Sequence, residues 1–136
     1  MYEAFEHTSD LGLRVKAPAL DALFREAAEG LFALIAEDWE GEGATERHEF
    51  HLEADAYDML LFDWLGELLY TFHTAHILLS GFEVKIGERS LDAAALGTPL
   101  DQSVHRLLHE VKAITYHGLK VERSEEGWLA EVIVDI

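Results

Sequence analysis

Glu110-Val111-Lys112-Ala113-Ile114-Thr115-Tyr116-His117-Gly118-Leu119-Lys120 is the stretch around which the rest of the chain is organised. Val111, Ala113 and Thr115 alternate with Lys112, Ile114 and Tyr116, so a strand places the two sets on opposite faces. The β-branched and aromatic residues favour that conformation, and His117-Gly118 punctuates its end. The predicted strand runs from Leu107 to Tyr116. Lys112 shares a face with Ile114 and Tyr116, which makes sense if its ammonium meets a carboxylate cluster.

Downstream, strands are predicted over Leu119 to Arg123 and Trp128 to Asp135, joined by the hairpin turn Ser124-Glu125-Glu126-Gly127. Upstream, Tyr2 to His7 and Leu13 to Lys16 read as short strands with Thr8-Ser9-Asp10-Leu11-Gly12 bending between them. Pro18 sits where a first helical turn accepts it. Leu20, Leu23, Phe24, Ala27, Ala28, Leu31, Phe32 and Ile35 then recur at helical spacing, giving an amphipathic helix of about 17 residues. Gly41-Glu42-Gly43 breaks it, and His48, Phe50 and Leu52 alternate with charged residues as in a strand. Asp55 is the predicted cap of a second helix running to about Thr74 and apolar nearly all round. Strands follow at Ile77 to Ile86 and from Leu91 to about Ala95, then a loop or turn over Asp101 to His105. The order β-β-α-β-α-β-β-β-β-β predicts an α+β two-layer sandwich: two main helices on a mixed or antiparallel sheet.

A chain of 136 residues is long enough for one hydrophobic core. The near-neutral mean hydropathy and the lack of any long apolar run predict a protein outside the membrane. The opening Met1-Tyr2-Glu3-Ala4-Phe5 does not resemble a secretory leader, and a cytoplasmic location is expected. The absence of cysteine excludes disulfides, thiolate catalysis and zinc-thiolate sites. A net charge of −17 repels phosphate backbones, so autonomous nucleic-acid binding is not expected. Such a surface suits a basic protein partner or a hard cation, although colloidal solubility or adaptation to a salty or crowded interior is the simpler reading of charge alone.

The carboxylates at chain landmarks form the first candidate site. Asp10 lies in the predicted bend, Asp135 is penultimate on the last strand, and Ile136 carries the α-carboxylate. Together they would form an oxygen-rich pocket for Ca²⁺ or Mg²⁺, but spacing alone does not bring them together. Asp63 and Glu67, four apart on the second helix, repel unless a cation or a basic side chain such as Lys112 or Arg14 relieves them; a solvated stripe is the simpler alternative. His73 with His76, and His105 with His109, have metal-compatible spacing but no third ligand, which favours ordinary surface or capping roles. His7 and His117 stand at strand ends beside other candidates. Phosphate-binding, dinucleotide and nucleophile-elbow signatures are missing, which argues against a self-sufficient enzyme.

Four blocks, in order, resemble the archease family. Glu6-His7-Thr8-Ser9-Asp10-Leu11-Gly12 is similar to its opening E-H-T-[AS]-D-[VLI]-G. Asp63-Trp64-Leu65-Gly66-Glu67-Leu68-Leu69-Tyr70 is similar to its D-W-L-N-E-L-L-Y helix, with Gly66 where asparagine is usual. Lys112-Ala113-Ile114-Thr115-Tyr116-His117 resembles K-A-[VI]-T-Y-H, and Val134-Asp135-Ile136 its D-I ending.

The resemblance implies a single archease domain over residues 1–136, acting as a non-catalytic cofactor of the GTP-dependent tRNA-splicing RNA ligase of RtcB type. In that family it promotes ligase guanylylation and multiple turnover. It implies a divalent cation (Ca²⁺, or Mg²⁺ or Mn²⁺) on Asp10, Asp135 and Ile136, with Lys112 as the activating residue. Asp63, Glu67, His7 and His117 are the expected partner-facing residues. Two alternatives stand beside it: a chaperone-like modulator of nucleic-acid-modifying enzymes, and a small metal-dependent hydrolase using the same carboxylates.

Overall fold

A computed structural model describes residues 1–7 and 10–136, with His7 described by its backbone only. Among the described residues the order is β1 (Tyr2–His7), β2 (Asp10–Ala17), α1 (Leu20–Ile35), β3 (Glu46–Glu53), α2 (Tyr57–Ala75), β4 (Ile77–Gly87), β5 (Ser90–Pro99), β6 (Ala113–Ile114), β7 (Lys120–Ser124) and β8 (Gly127–Asp135). This is the predicted order, and the α+β class holds. The strands divide into two sheets, both antiparallel throughout. One runs β1-β2-β8-β6 with β7 also on β8, and the other β3-β5-β4.

Alternation gives the larger sheet a dry face and a wet one. Leu13, Val15 and Ala17 of β2 and Ala130, Val132 and Val134 of β8 are buried against α1 and α2. Their neighbours Asp10, Arg14, Glu131 and Asp135 point the other way. In α1, Leu23, Phe24, Ala27, Leu31 and Ile35 are buried along one stripe, as their spacing requires. In α2 the buried set is Leu60, Leu61, Trp64, Leu65, Leu68 and Leu69. Trp64 lies where both helices meet the smaller sheet. Its indole N–H donates to the Phe24 carbonyl at 3.0 Å, and its ring stands edge-on to Phe50 and Phe82.

Several expectations are corrected. Thr8 and Ser9 of the predicted bend lie outside the described residues, and Asp10 to Gly12 belong to β2, whose pairing with β8 is already formed at Asp10. Pro18 precedes the N-cap Ala19 instead of entering α1. The N-cap of α2 is Ala56, not Asp55; Asp58 supplies the nearby carboxylate and accepts the Met59 N–H at 2.7 Å. Helix α2 is buried along one side only, leaving Met59 and Tyr70 exposed.

The largest difference concerns the stretch around Lys112, where only Ala113–Ile114 form a strand. The reason is competition for one edge. β7 occupies that edge of β8 from Gly127 to Glu131, leaving β6 only Val134 and Asp135. Thr115 ends the pairing, its N–H and hydroxyl both donating to the Ile133 carbonyl, and the chain turns at Tyr116 to Leu119. Leu107, at the start of the predicted strand, makes an isolated bridge with Ala36.

Candidate functional site

The wet face of the larger sheet brings distant parts of the sequence together at one end. Asp10 of β2 is the direct cross-strand partner of Asp135 of β8, and Asp135 in turn pairs with Ala113 of β6. The Lys112 N–H donates to the Asp135 carbonyl at 2.7 Å. Two strand spacings separate Asp10 from β6, so the row is about 10 Å across. Directly paired residues of antiparallel strands share a face, which puts both carboxylates on the same side. Like charges so placed destabilise a sheet, and a cation between them reverses the sign.

The register fixes what surrounds the row. Leu11 and Val134 point inward, and Ile136, which follows Asp135 directly, packs against the core. Lys112 departs from strict alternation. Val111 and Ile114, three apart, are both buried, while Lys112 between them is exposed. Its side chain therefore stays in solvent on the flank of Asp135. His117 is exposed just beyond, its N–H donating to Thr115 Oγ1 at 3.3 Å. The side chain of His7 lies outside the described residues, though its backbone pairs with Asp10.

One step along β2, Gly12 leaves room for the Phe5 ring, which occupies the place a Cβ would take. Beyond it, Arg14 is held by Glu3 at 3.1 Å and Glu131 at 3.2 Å, with its guanidinium 4.7 Å from the centre of Phe5. The hydrogen bond that Arg14 donates to Glu3, then the one it donates to Glu131, raises the Arg14 pKa above its ordinary value. Arg14 thus serves the sheet and does not relieve Asp63 and Glu67. Those two lie on α2, Asp63 half-buried and Glu67 exposed, off the Asp10–Asp135 row but on the helix that flanks it.

Two contacts set that flank, and neither was visible in the sequence. Phe62 stacks on Tyr116 with ring centres 4.0 Å apart and planes 14° from parallel. His73 Nε2 donates to the Val111 carbonyl at 3.0 Å. Eleven helical residues rise about as far as five extended ones, so α2 and the 111–116 segment run side by side in register. His73 is thus a latch, and His76 is the left-handed C-cap of α2, with φ 54°. His105 accepts the Asp101 N–H at 3.0 Å.

Among the described residues, no three His, Asp or Glu side chains come together as a metal site. Asp10 and Asp135 present two carboxylates, with main-chain oxygen of Ile136 adjacent. That oxygen-only donor set fits a hard cation and does not suit a thiophilic one. The broad cleft on the smaller sheet, about 550 Å³, is elsewhere; there His51 bridges Asp92 at 2.7 Å and Glu53 at 3.0 Å.

Residues 2–136 match the Archease protein family (MTH1598/TM1083). The chain belongs to the archease family. It is 38% identical over 141 residues to a protein archease of Methanopyrus kandleri and 36% identical over 140 residues to one of Pyrococcus abyssi, covering 98–99% of each. The solution structure of Methanobacterium thermoautotrophicum protein 1598 superposes with a TM-score of 0.83 at 30% identity, over 99% of this chain and 98% of that one. A Thermotoga maritima crystal structure, named "archease, possible chaperone", gives a TM-score of 0.70 at 20% identity, over 100% of this chain and 98% of that one, a likeness of fold. Three of the four archease-like blocks, those containing Asp10, Lys112 and Asp135, converge at one end of the larger sheet. The fourth is α2 beside them.

Proposed function

We propose that this archease-family protein is a non-catalytic activator of an RtcB-type RNA ligase, promoting its guanylylation and repeated turnover in tRNA splicing. The observation supporting it is the row in which Asp10 pairs with Asp135 and Asp135 accepts the Lys112 amide. Asp10, Asp135 and an oxygen of Ile136 would hold Ca²⁺, Mg²⁺ or Mn²⁺, and the bound cation would supply positive charge towards phosphate oxygens. Lys112, exposed on the flank of the row, offers three N–H donors to an anionic group across the interface. The net charge of −17 draws the protein to a basic RNA-binding surface in the cytoplasm without holding RNA itself.

The test is single-turnover guanylylation of the RtcB-type ligase from the same organism, with GTP and Mn²⁺, in the presence of substoichiometric protein. Wild type accelerates the step, and Lys112→Ala loses the effect while its circular dichroism is unchanged. No acceleration by wild type contradicts the proposal. The chaperone alternative draws on exposed Val104, Leu107 and Leu108; it predicts that aggregation of unrelated clients is suppressed equally by wild type, Asp10→Ala and Lys112→Ala.

A further inference from the structure

The outward side of α2 carries a surface that the Asp10–Asp135 row does not use. Met59, Asp63, Gly66 and Tyr70 follow one another at three- and four-residue steps, with Glu67 four beyond Asp63, so they form one stripe. Tyr70 is 64% exposed, and Tyr116, laid against Phe62 at the stripe's edge, is 60% exposed. At the centre, Gly66 has no side chain, and a Cβ built there meets no atom within 4 Å. The stripe therefore has a side-chain-free notch at Gly66, with Asp63 and Tyr70 about one helical turn to either side of it.

We propose that this notch receives an arginine of the protein partner. A guanidinium is planar, stacks on a tyrosine face and bridges carboxylates through a rigid fork, which a lysine ammonium does not do. Asp63 and Glu67, four apart on one helix face, repel each other until such a group lies between them. The overall charge of −17 selects a basic partner over an acidic one. The partner's identity as a ligase rests on the function proposed above, whereas the arginine specificity rests on the notch. Because α2 runs beside the 111–116 segment, an arginine seated here would orient the partner towards that segment, which carries Lys112.

Two measurements test it. The first is the Kd of the RtcB-type ligase for wild type, Gly66→Arg, Tyr70→Ala and Lys85→Ala at low salt, with guanylylation read in parallel. Gly66→Arg fills the notch with the group it is meant to receive, on a helix that tolerates arginine well. Gly66→Arg and Tyr70→Ala are expected to raise Kd at least tenfold with intact thermal transitions, while Lys85→Ala, on the smaller sheet, leaves it unchanged. Wild-type affinity in both notch variants, or no ligase binding by wild type, overturns the proposal. Notch-dependent binding without accelerated guanylylation upholds the docking surface and refutes the activator function; the converse pattern does the opposite. The second is an NMR titration with N-acetylarginine amide and N-acetyllysine amide. The arginine probe is expected to shift the Gly66 amide and the Tyr70 and Tyr116 rings, and the lysine probe to leave them in place. Equal shifts, or none with arginine, overturn the assignment of the occupant.

Discussion

Replacing Gly66 with alanine tests whether the notch on α2 is open space or a close approach. Gly66 lies inside α2, and its φ is not among the positive values seen at Gly41, Gly43, Gly81, Gly118 and Gly127. The new methyl meets nothing within 4 Å, so no steric term opposes the change. What remains is backbone entropy: glycine in a helix interior is about 1 kcal/mol less favourable than alanine. For a domain of this length that gain raises the melting midpoint by about 3–4 °C. Asparagine, usual at this position in the family, should recover only a few tenths of a kcal/mol. The assay is thermal and urea unfolding followed by circular dichroism, with an unchanged m-value showing that stability changes while the surface exposed on unfolding does not. An unchanged or lowered midpoint for Gly66→Ala refutes the open notch, because it requires an opposing contact that the structure does not contain.

Gly12→Ala should have the opposite sign, destabilising by about 1–2 kcal/mol in the same unfolding assay, since its methyl must displace the Phe5 ring that now occupies the Cβ position. Trp64→Ala should cost about 3–5 kcal/mol in urea unfolding, because it empties a fully buried site and removes the bond to Phe24. The hydrogen bond that the His51 ring donates to Glu53, then the one to Asp92, raises the His51 pKa. Its stabilisation is therefore complete below the ordinary histidine value of about 6.5 and fades as pH rises through the raised folded value. His51→Gln should lower the melting midpoint near pH 5.5 and leave it unchanged near pH 9; an equal loss at both would show that His51 acts by packing.

The parts legible in the sequence were those governed by local pattern. Leu23 to Ile35 announced α1 by their spacing, Ser124 to Gly127 announced the last hairpin, and the element order followed. The candidate site was legible in its residue types, because Asp10, Lys112 and Asp135 sat in family-like blocks. The register that places Asp10 beside Asp135 depends on β2 and β8 pairing across the whole chain, which no local pattern encodes. The shortness of β6 was hidden for a related reason: its length is set by how much of β8 the β7 hairpin has already taken. The Phe62–Tyr116 stack depends on the same long-range placement of α2, and so does the open position at Gly66.

The cross-strand aspartate pair is most directly tested by calorimetric titration of the metal-free protein with Mn²⁺ or Ca²⁺. One site is predicted in wild type, lost in both Asp10→Asn and Asp135→Asn although their circular dichroism is unchanged. Wild-type affinity in either variant, or no binding by wild type, would contradict a shared cation between the two ends of the chain.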